Sequence, residues 1–258
     1  MLIGFGLELL KLLKQADFVG DGFGGESHLG ALIETLRATS EARGVHFCDG
    51  PSEALLNPKL LAQYRRRVAG RTRASRGTTH ISAIDAEGNI ASLTVSNGEG
   101  CGRLMADTGF MLNNMLGEED VNPGGFHHWH PNQRMSSMMA PAILLNDDGA
   151  VGALGSGGSN RIRTAILQVV CNQVDFGMDP EAAIAAPRVH IEGDDALNRE
   201  QGFPEQTVRT LARDFPGHRV FEEPNMFFGG VHMARLSGDG GLLAVGDPRR
   251  DGVGVVVS

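Results

Sequence analysis

In the opening part of the chain apolar residues recur at helical spacing, first over Leu2 to Leu13 and again over Leu29 to Leu36, and a third short helix is predicted around Lys59 to Val68. The glycines of DGFGGES place a loop between the first two. From Thr78 onward the period changes to two. His80 to Ala83 and Ile90 to Val95 alternate about the turn DAEGN, which predicts a β-hairpin. A second hairpin is predicted in AILLNDDGAVGALG, turning at Asp147, Asp148 and Gly149. Helical spacing returns in SNRIRTAILQVVCNQVDFG, with a serine cap, apolar residues at Ile162, Ala165, Ile166, Val169 and Val170, and a glycine stop. A shorter helix follows in DPEAAIAAP, and strands are predicted at Val189 to Glu192, Gly230 to Leu236 and Leu242 to Val245. Helices, then strands, then helices predict an α+β fold whose strands run largely antiparallel.

The 258 residues suffice for one large domain or two modest ones, and a hydrophobic content of 41% can bury a core. No apolar run reaches the roughly 18 residues of a spanning helix, so no membrane partner is expected. Met1 to Leu13 lacks a basic leader and a small-residue cleavage site and is interrupted by Glu8, so it reads as a core-facing helix rather than a signal peptide; the cellular location stays open. Cys48, Cys101 and Cys171 are odd in number and widely spaced, which argues against a disulfide framework or a zinc knuckle. The net charge of -8 is unevenly spread: residues 1–77 carry +3 and residues 78–258 carry -11. RRRVAGRTRASRG, with six arginines and no interleaved aromatic residue, reads as a solvated linker rather than a nucleic-acid patch, and the acidic balance agrees.

Four segments could carry chemistry. The first is Gly77-Thr78-Thr79, at the point where the charge and the period both change. Two β-branched residues opening a strand are ordinary. A hydroxyl becomes a nucleophile only beside a base, however, and an N-terminal threonine carries that base as its own α-amine. Such a terminus has to be made by cutting the chain, and glycine before it leaves the attacked carbonyl uncrowded. The second segment, GSGGSNRI, is either a glycine turn or a source of backbone N–H groups for an anion or oxyanion; the Lys-Ser/Thr end of a phosphate loop is missing. In RMSSMMAP the adjacent Ser136 and Ser137 are turn residues or a pair of donors for a carboxylate. The histidines of FHHWHP invite a metal, but their spacing fits neither one helix face nor strand alternation.

Taken in order, GTTHISAIDAEGN, GFMLNNML, RMSSMMAP, GSGGSNRI, AAIAAPRVH and GDPRRDG resemble the small subunit of the γ-glutamyltranspeptidase family, the glutathione hydrolases. Upstream, GGESHLGALIETLRATSEARG and LLNPKLLAQYRRRV resemble the last helices of that family's large subunit. The resemblance implies the αββα sandwich of N-terminal-nucleophile hydrolases, N-terminally truncated relative to the family. It divides the chain into a large-subunit-like region with linker, 1–77, and a small-subunit-like catalytic region, 78–258. It further implies self-cutting between Gly77 and Thr78, Thr78 as nucleophile, and two cleaved fragments that stay together as a heterodimer.

By the same resemblance Thr79 and Ser96 support the nucleophile, Ser136 and Ser137 hold the α-carboxylate of a small γ-glutamyl substrate, and Gly157 and Gly158 supply the oxyanion hole. Water or an amino acid accepts the acyl group, and neither metal nor organic cofactor is implied. The chain departs from the family beside the nucleophile, where Ser96 stands in place of the usual threonine, and around the substrate amine. There Asn97 matches only with one residue deleted, Met115 replaces an acidic or amide residue, and Glu118 replaces an aspartate, which leaves Glu118 or Glu119 to pair with an ammonium. The family arginine that pairs with the substrate carboxylate belongs to a long preceding segment, which would have to come from a further N-terminal fragment. The alternatives are an acylase acting on another side-chain amide and an inactive family fragment.

Overall fold

The computed structural model describes residues 22–46, 78–98, 100–118, 121–122, 124–125, 127–147, 149–192 and 196–257. The helices predicted at Leu2 to Leu13 and Lys59 to Val68, the arginine-rich linker, Gly77 and Glu119 lie outside these residues. The chain divides into two compact units, one within Met1–Arg73 and Leu167–Phe228, the other within Ala74–Ile166 and Gly229–Ser258.

In the first unit, helix α1 (Glu26–His46) runs well beyond the predicted apolar repeat. Leu29, Leu32, Ile33 and Leu36 are spaced to share one face, and all are at most 2% exposed. They join Val189, Ile191, Leu197, Phe203 and Leu211 in one core cluster. A small sheet completes the unit: β5 (Val189–Ile191) pairs antiparallel with β6 (Leu197–Glu200), which pairs parallel with β7 (Arg219–Phe221). The parallel step needs a crossover, and the helix Glu205–Asp214 supplies it. Arg188 is fully buried as a strut, donating from Nη1 to the Phe228 carbonyl (3.3 Å) and from Nη2 to the Ile184 carbonyl (3.0 Å).

The second unit holds the two hairpins. Here β1 (Thr78–Ile84) pairs antiparallel with β2 (Ile90–Ser96). A four-stranded sheet runs in the order β3 (Ala142–Leu145), β4 (Val151–Gly157), β8 (Gly230–Leu236), β9 (Leu242–Val245). The β1–β2 hairpin packs over it, β1 against β4 and β8, β2 against β4 and β3. Its inner face is polar and its outer face apolar, an inversion of the usual arrangement. Thr78, His80 and Ser82 point inward opposite Ser96, Thr94 and Ser92, whereas Ile81, Leu93 and Val95 are about half exposed. Hydrogen bonds compensate the buried polar groups: His80 Nδ1 meets Thr94 Oγ1 and His80 Nε2 meets Ser82 Oγ, both at 2.8 Å, and Ser92 Oγ donates to the Leu154 carbonyl at 3.1 Å.

The helix of SNRIRTAILQVVCNQVDFG forms over Arg161–Val174, and the boundary between the units falls within it. Its expected serine cap does not have cap geometry. Ser159 lies two residues ahead of Arg161 with φ +53°, whereas a capping residue is extended. The short helix forms over Pro180–Ala185 and is capped by Asp179, which accepts from the Ala182 N–H at 3.0 Å. Among the described residues no helix is long and apolar enough to cross a membrane.

Candidate active site

The register of the first hairpin sets Thr78, the first residue of β1, directly opposite Ser96, the last of β2. Their side chains share the inner face, and Thr78 Oγ1 donates to Ser96 Oγ at 3.1 Å. Ser96 Oγ also accepts the Gly98 N–H at 3.1 Å, so the chain's turn after β2 anchors the serine that anchors the threonine. Thr79, by strand alternation, falls on the opposite, exposed face and does not share this contact.

Gly157 ends β4 beneath β1. A methyl group added there would overlap the Thr78 carbonyl oxygen and sit 3.2 Å from Nη1 of Arg250. Gly158 follows at φ +133°, which L side chains rarely adopt, and a methyl there would meet the Gly229 Cα at 2.9 Å and Arg250 Nη2 at 3.5 Å. Bare backbone is therefore required at Gly157 for β1 to approach the end of β4, and at Gly158 for the close approach of Gly229. The structure brings Thr78, Ser96, Gly157 and Gly158 together, and adds Arg250, to which sequence reasoning assigned no role. The only signal for it was its place in GDPRRDG.

Glu118 reaches this cluster through Gly98. It follows the 3-10 turn Met115–Gly117, and a methyl on Gly98 (φ +62°) would meet Glu118 Oε1 at 3.0 Å and overlap Asn114 Oδ1. The carboxylate thus stands against the residue whose N–H bonds Ser96. Asn97, between them, turns its amide away: Nδ2 donates to the Met111 carbonyl at 3.0 Å. Ser136 is half-buried and donates to the Val121 carbonyl at 3.2 Å, which ties it to the loop that follows Glu118. Ser137 is exposed and accepts the Met139 N–H at 3.1 Å. The serine pair is thus joined to Glu118's loop, and its described hydrogen bonds do not reach Thr78.

Beneath Thr78, burial and the neighbouring His232 lower His80 to a pKa of about 4, so the imidazole is neutral at physiological pH. His232 is held as an acceptor at Nδ1 by the Asp247 N–H (3.1 Å). A cavity of about 420 Å³ lies alongside, lined in part by Thr79, His80, His232 and Arg250, but not by Thr78 or the serine pair. Among the described residues no group of three or more His, Cys, Asp or Glu gathers as a metal site would, His127, His128 and His130 included.

The family model described as Gamma-glutamyltranspeptidase matches residues 3–257. A "Glutathione hydrolase proenzyme" of Bacillus subtilis is 30% identical over 209 residues, 80% of this chain and 34% of the relative. An "Acylase ACY 1 proenzyme" of Pseudomonas sp. is 31% identical over 268 residues, 97% of this chain and 47% of the relative. The chain therefore spans a third to a half of the length of these relatives. Among solved structures, a gamma-glutamyltranspeptidase from Pseudomonas nitroreducens complexed with L-DON superposes with a TM-score of 0.58 at 29% identity, covering 70% of this chain and all of that one.

Proposed function

Since the chain belongs to the gamma-glutamyltranspeptidase family, with the α+β fold of N-terminal-nucleophile hydrolases, we propose that it is the nucleophile-bearing part of a γ-glutamyl amide hydrolase and acyltransferase. The observation that carries this reading is the Thr78 hydroxyl held by Ser96 at the first residue of β1, beside the bare backbone of Gly157 and Gly158.

Maturation begins when Thr78 Oγ1 attacks the Gly77 carbonyl carbon. The Gly77–Thr78 C–N bond breaks, an ester forms, and its hydrolysis leaves a Gly77 carboxylate and a free Thr78 amine. Residues 1–77 and 78–258 then remain associated as a heterodimer. In turnover the amine takes the proton from Oγ1, directly or through a water, as the oxygen attacks the γ-amide carbonyl of glutathione or a similar compound. The N–H groups of Gly157 and Gly158 receive the oxyanion. Ser136 and Ser137 take the substrate carboxylate and Glu118 its ammonium, which fixes the carbonyl in line for attack. The amine returns its proton to the leaving nitrogen, and water or an amino acid collects the acyl group from Thr78. Thr79 serves the nucleophile through the backbone of β1 in this scheme, and Asn97 by setting the turn. The half-exposed apolar residues Ile81, Leu93 and Val95 and the greater length of the relatives support a further polypeptide segment completing the sandwich and supplying the carboxylate-binding arginine.

A second reading, an acylase for a different side-chain amide, is favoured by the match to the acylase proenzyme over 97% of the chain and by Met115 near the amine-binding position. Intact mass tests the shared premise. The wild type should appear as two fragments divided at Gly77–Thr78 and the Thr78→Ala variant as one chain; a folded wild type that stays whole contradicts the maturation step.

A further inference from the structure

Ser156 is fully buried, and its hydroxyl is committed in both directions: it donates to the Gly157 carbonyl at 2.8 Å and accepts the Gly230 N–H at 3.1 Å. Along β4 side chains alternate between faces. Gly155 and Gly157 occupy the face that meets the hairpin, where added methyls would strike the His80 ring and the Thr78 carbonyl. Ser156 therefore occupies the opposite face and does not reach Thr78 or a substrate bound to it. There it is enclosed. A methyl on Gly229 (φ +77°) would meet Ser156 Oγ at 2.9 Å, the Gly157 carbonyl oxygen at 3.0 Å and Ala165 Cβ at 3.1 Å, so the hydroxyl and the carbonyl it holds sit against bare backbone. Gly158 is fixed from its other side by the start of the helix, its carbonyl accepting the Arg161 N–H at 3.0 Å.

Resting on the function proposed above, we infer that Ser156 is a positioning residue for the oxyanion donor: its hydroxyl aims the N–H of Gly158. A peptide unit is planar and trans, so the carbonyl of Gly157 and the N–H of Gly158 point in opposite directions, and one cannot turn without the other. Ser156 draws the carbonyl toward its own face of the sheet, which turns the N–H toward the face that carries Thr78. Two adjacent glycines, the second at φ +133°, leave this peptide no side chain of its own to restrain it. An oxyanion donor, however, stabilises charge only while it is held where that charge develops. The hydroxyl removes a rotation that the sequence GSGGS otherwise permits, and it does so without touching substrate. Deleting it takes a partner from two buried groups, the Gly230 N–H and the Gly157 carbonyl, and frees the peptide to turn.

The test compares mature wild type, Ser156→Ala and Ser156→Cys on a γ-glutamyl anilide, each confirmed as cut by intact mass. In Ser156→Ala kcat should fall about 10- to 100-fold, short of the roughly 10²- to 10³-fold cost of a deleted oxyanion donor, while KM stays within about twofold. A boronic acid carrying the γ-glutamyl head group turns tetrahedral on Thr78 Oγ1 and puts a hydroxyl in the oxyanion position. Its inhibition should weaken by the same factor as kcat, which a merely structural role for Ser156 would not require. A cut Ser156→Ala enzyme with wild-type kcat, or one whose loss lies in KM with boronate inhibition unchanged, overturns the inference and leaves Thr78 as nucleophile. Should that variant fail to mature, Ser156→Cys decides. Its thiol fills the site but hydrogen-bonds weakly, so kcat should drop about tenfold with KM held, and a wild-type kcat overturns the inference. A wild type that never exposes Thr78 fails differently, removing the proposed function and this inference with it.

Discussion

Replacing His80 by asparagine should remove a large part of the chain's acid sensitivity. The imidazole is 5% exposed, hydrogen-bonded by Thr94 and Ser82, and lowered from 6.5 to about 4, chiefly by burial and secondarily by His232. Because the folded value lies below the unfolded one, the unfolded chain binds more protons throughout the window between them. The stabilisation is therefore present in full above pH 6.5, declines as the pH falls toward 4, and is lost below that. At about 1.4 kcal/mol for each pH unit the window corresponds to about 3 kcal/mol. Urea denaturation followed by circular dichroism at several pH values between 4 and 7.5 measures it. Wild type should lose about 3 kcal/mol more than His80→Asn over this range, whatever the offset between them at pH 7.5. Parallel curves would show that His80 is protonated equally in both states, and the account of a polar, dehydrated interface between the hairpin and β4 would fail. The interface matters because β1 carries Thr78 at its end.

Three further perturbations probe neighbouring parts of the site. Gly157→Ala forces a methyl into the Thr78 carbonyl, an overlap that backbone cannot avoid by rotation, and should cost about 1–3 kcal/mol in thermal unfolding while slowing self-cutting; an unchanged melting temperature would mean β1 does not seat on Gly157. Asp247→Ala deprives the buried Arg249 of its carboxylate and should cost about 3–5 kcal/mol by urea titration, against which a loss below about 1 kcal/mol would be inconsistent. If Met115 and Glu118 face the substrate amine as proposed, selection of γ-glutamyl anilide over its des-amino glutaryl analogue should be modest, on the order of the 1.5–3 kcal/mol of one charged hydrogen bond. A much stronger preference would assign the ammonium to another residue.

The hairpins and the long central helix were legible because each is specified locally, by alternation about DAEGN and NDDGA and by the spacing of Ile162, Ala165, Ile166, Val169 and Val170. Which face of the first hairpin is buried was not legible. Alternation is symmetric, and a polar inner face satisfied by His80, Thr94, Ser82 and Ser92 reads as a solvated one until the partner strand is seen. The strand Leu197–Glu200 was missed because LNRE is buried throughout yet three-quarters polar, Glu200 accepting from the distant Arg188 and Asn225 N–H groups and Asn198 and Arg199 donating to nearby carbonyls. The helix Glu205–Asp214 was missed because only Val208 and Leu211 mark its apolar side. The motifs pointed to Thr78, Ser96, Gly157 and Gly158, which the fold brings together, since the order of six short segments constrains position strongly. They could not show Arg250 beside Gly157, a matter of three-dimensional approach between residues 93 positions apart in the chain.

The central claim is that the oxygen of Thr78 forms the covalent bond to the acyl group, and a mechanism-based glutamine analogue tests it most directly. Peptide mapping of the treated, mature protein should find the label on the Thr78 peptide alone, one per molecule, at the residue that has become an N-terminus. Label at Cys101 or Ser137 instead, or undiminished turnover by Thr78→Ala, would contradict the account.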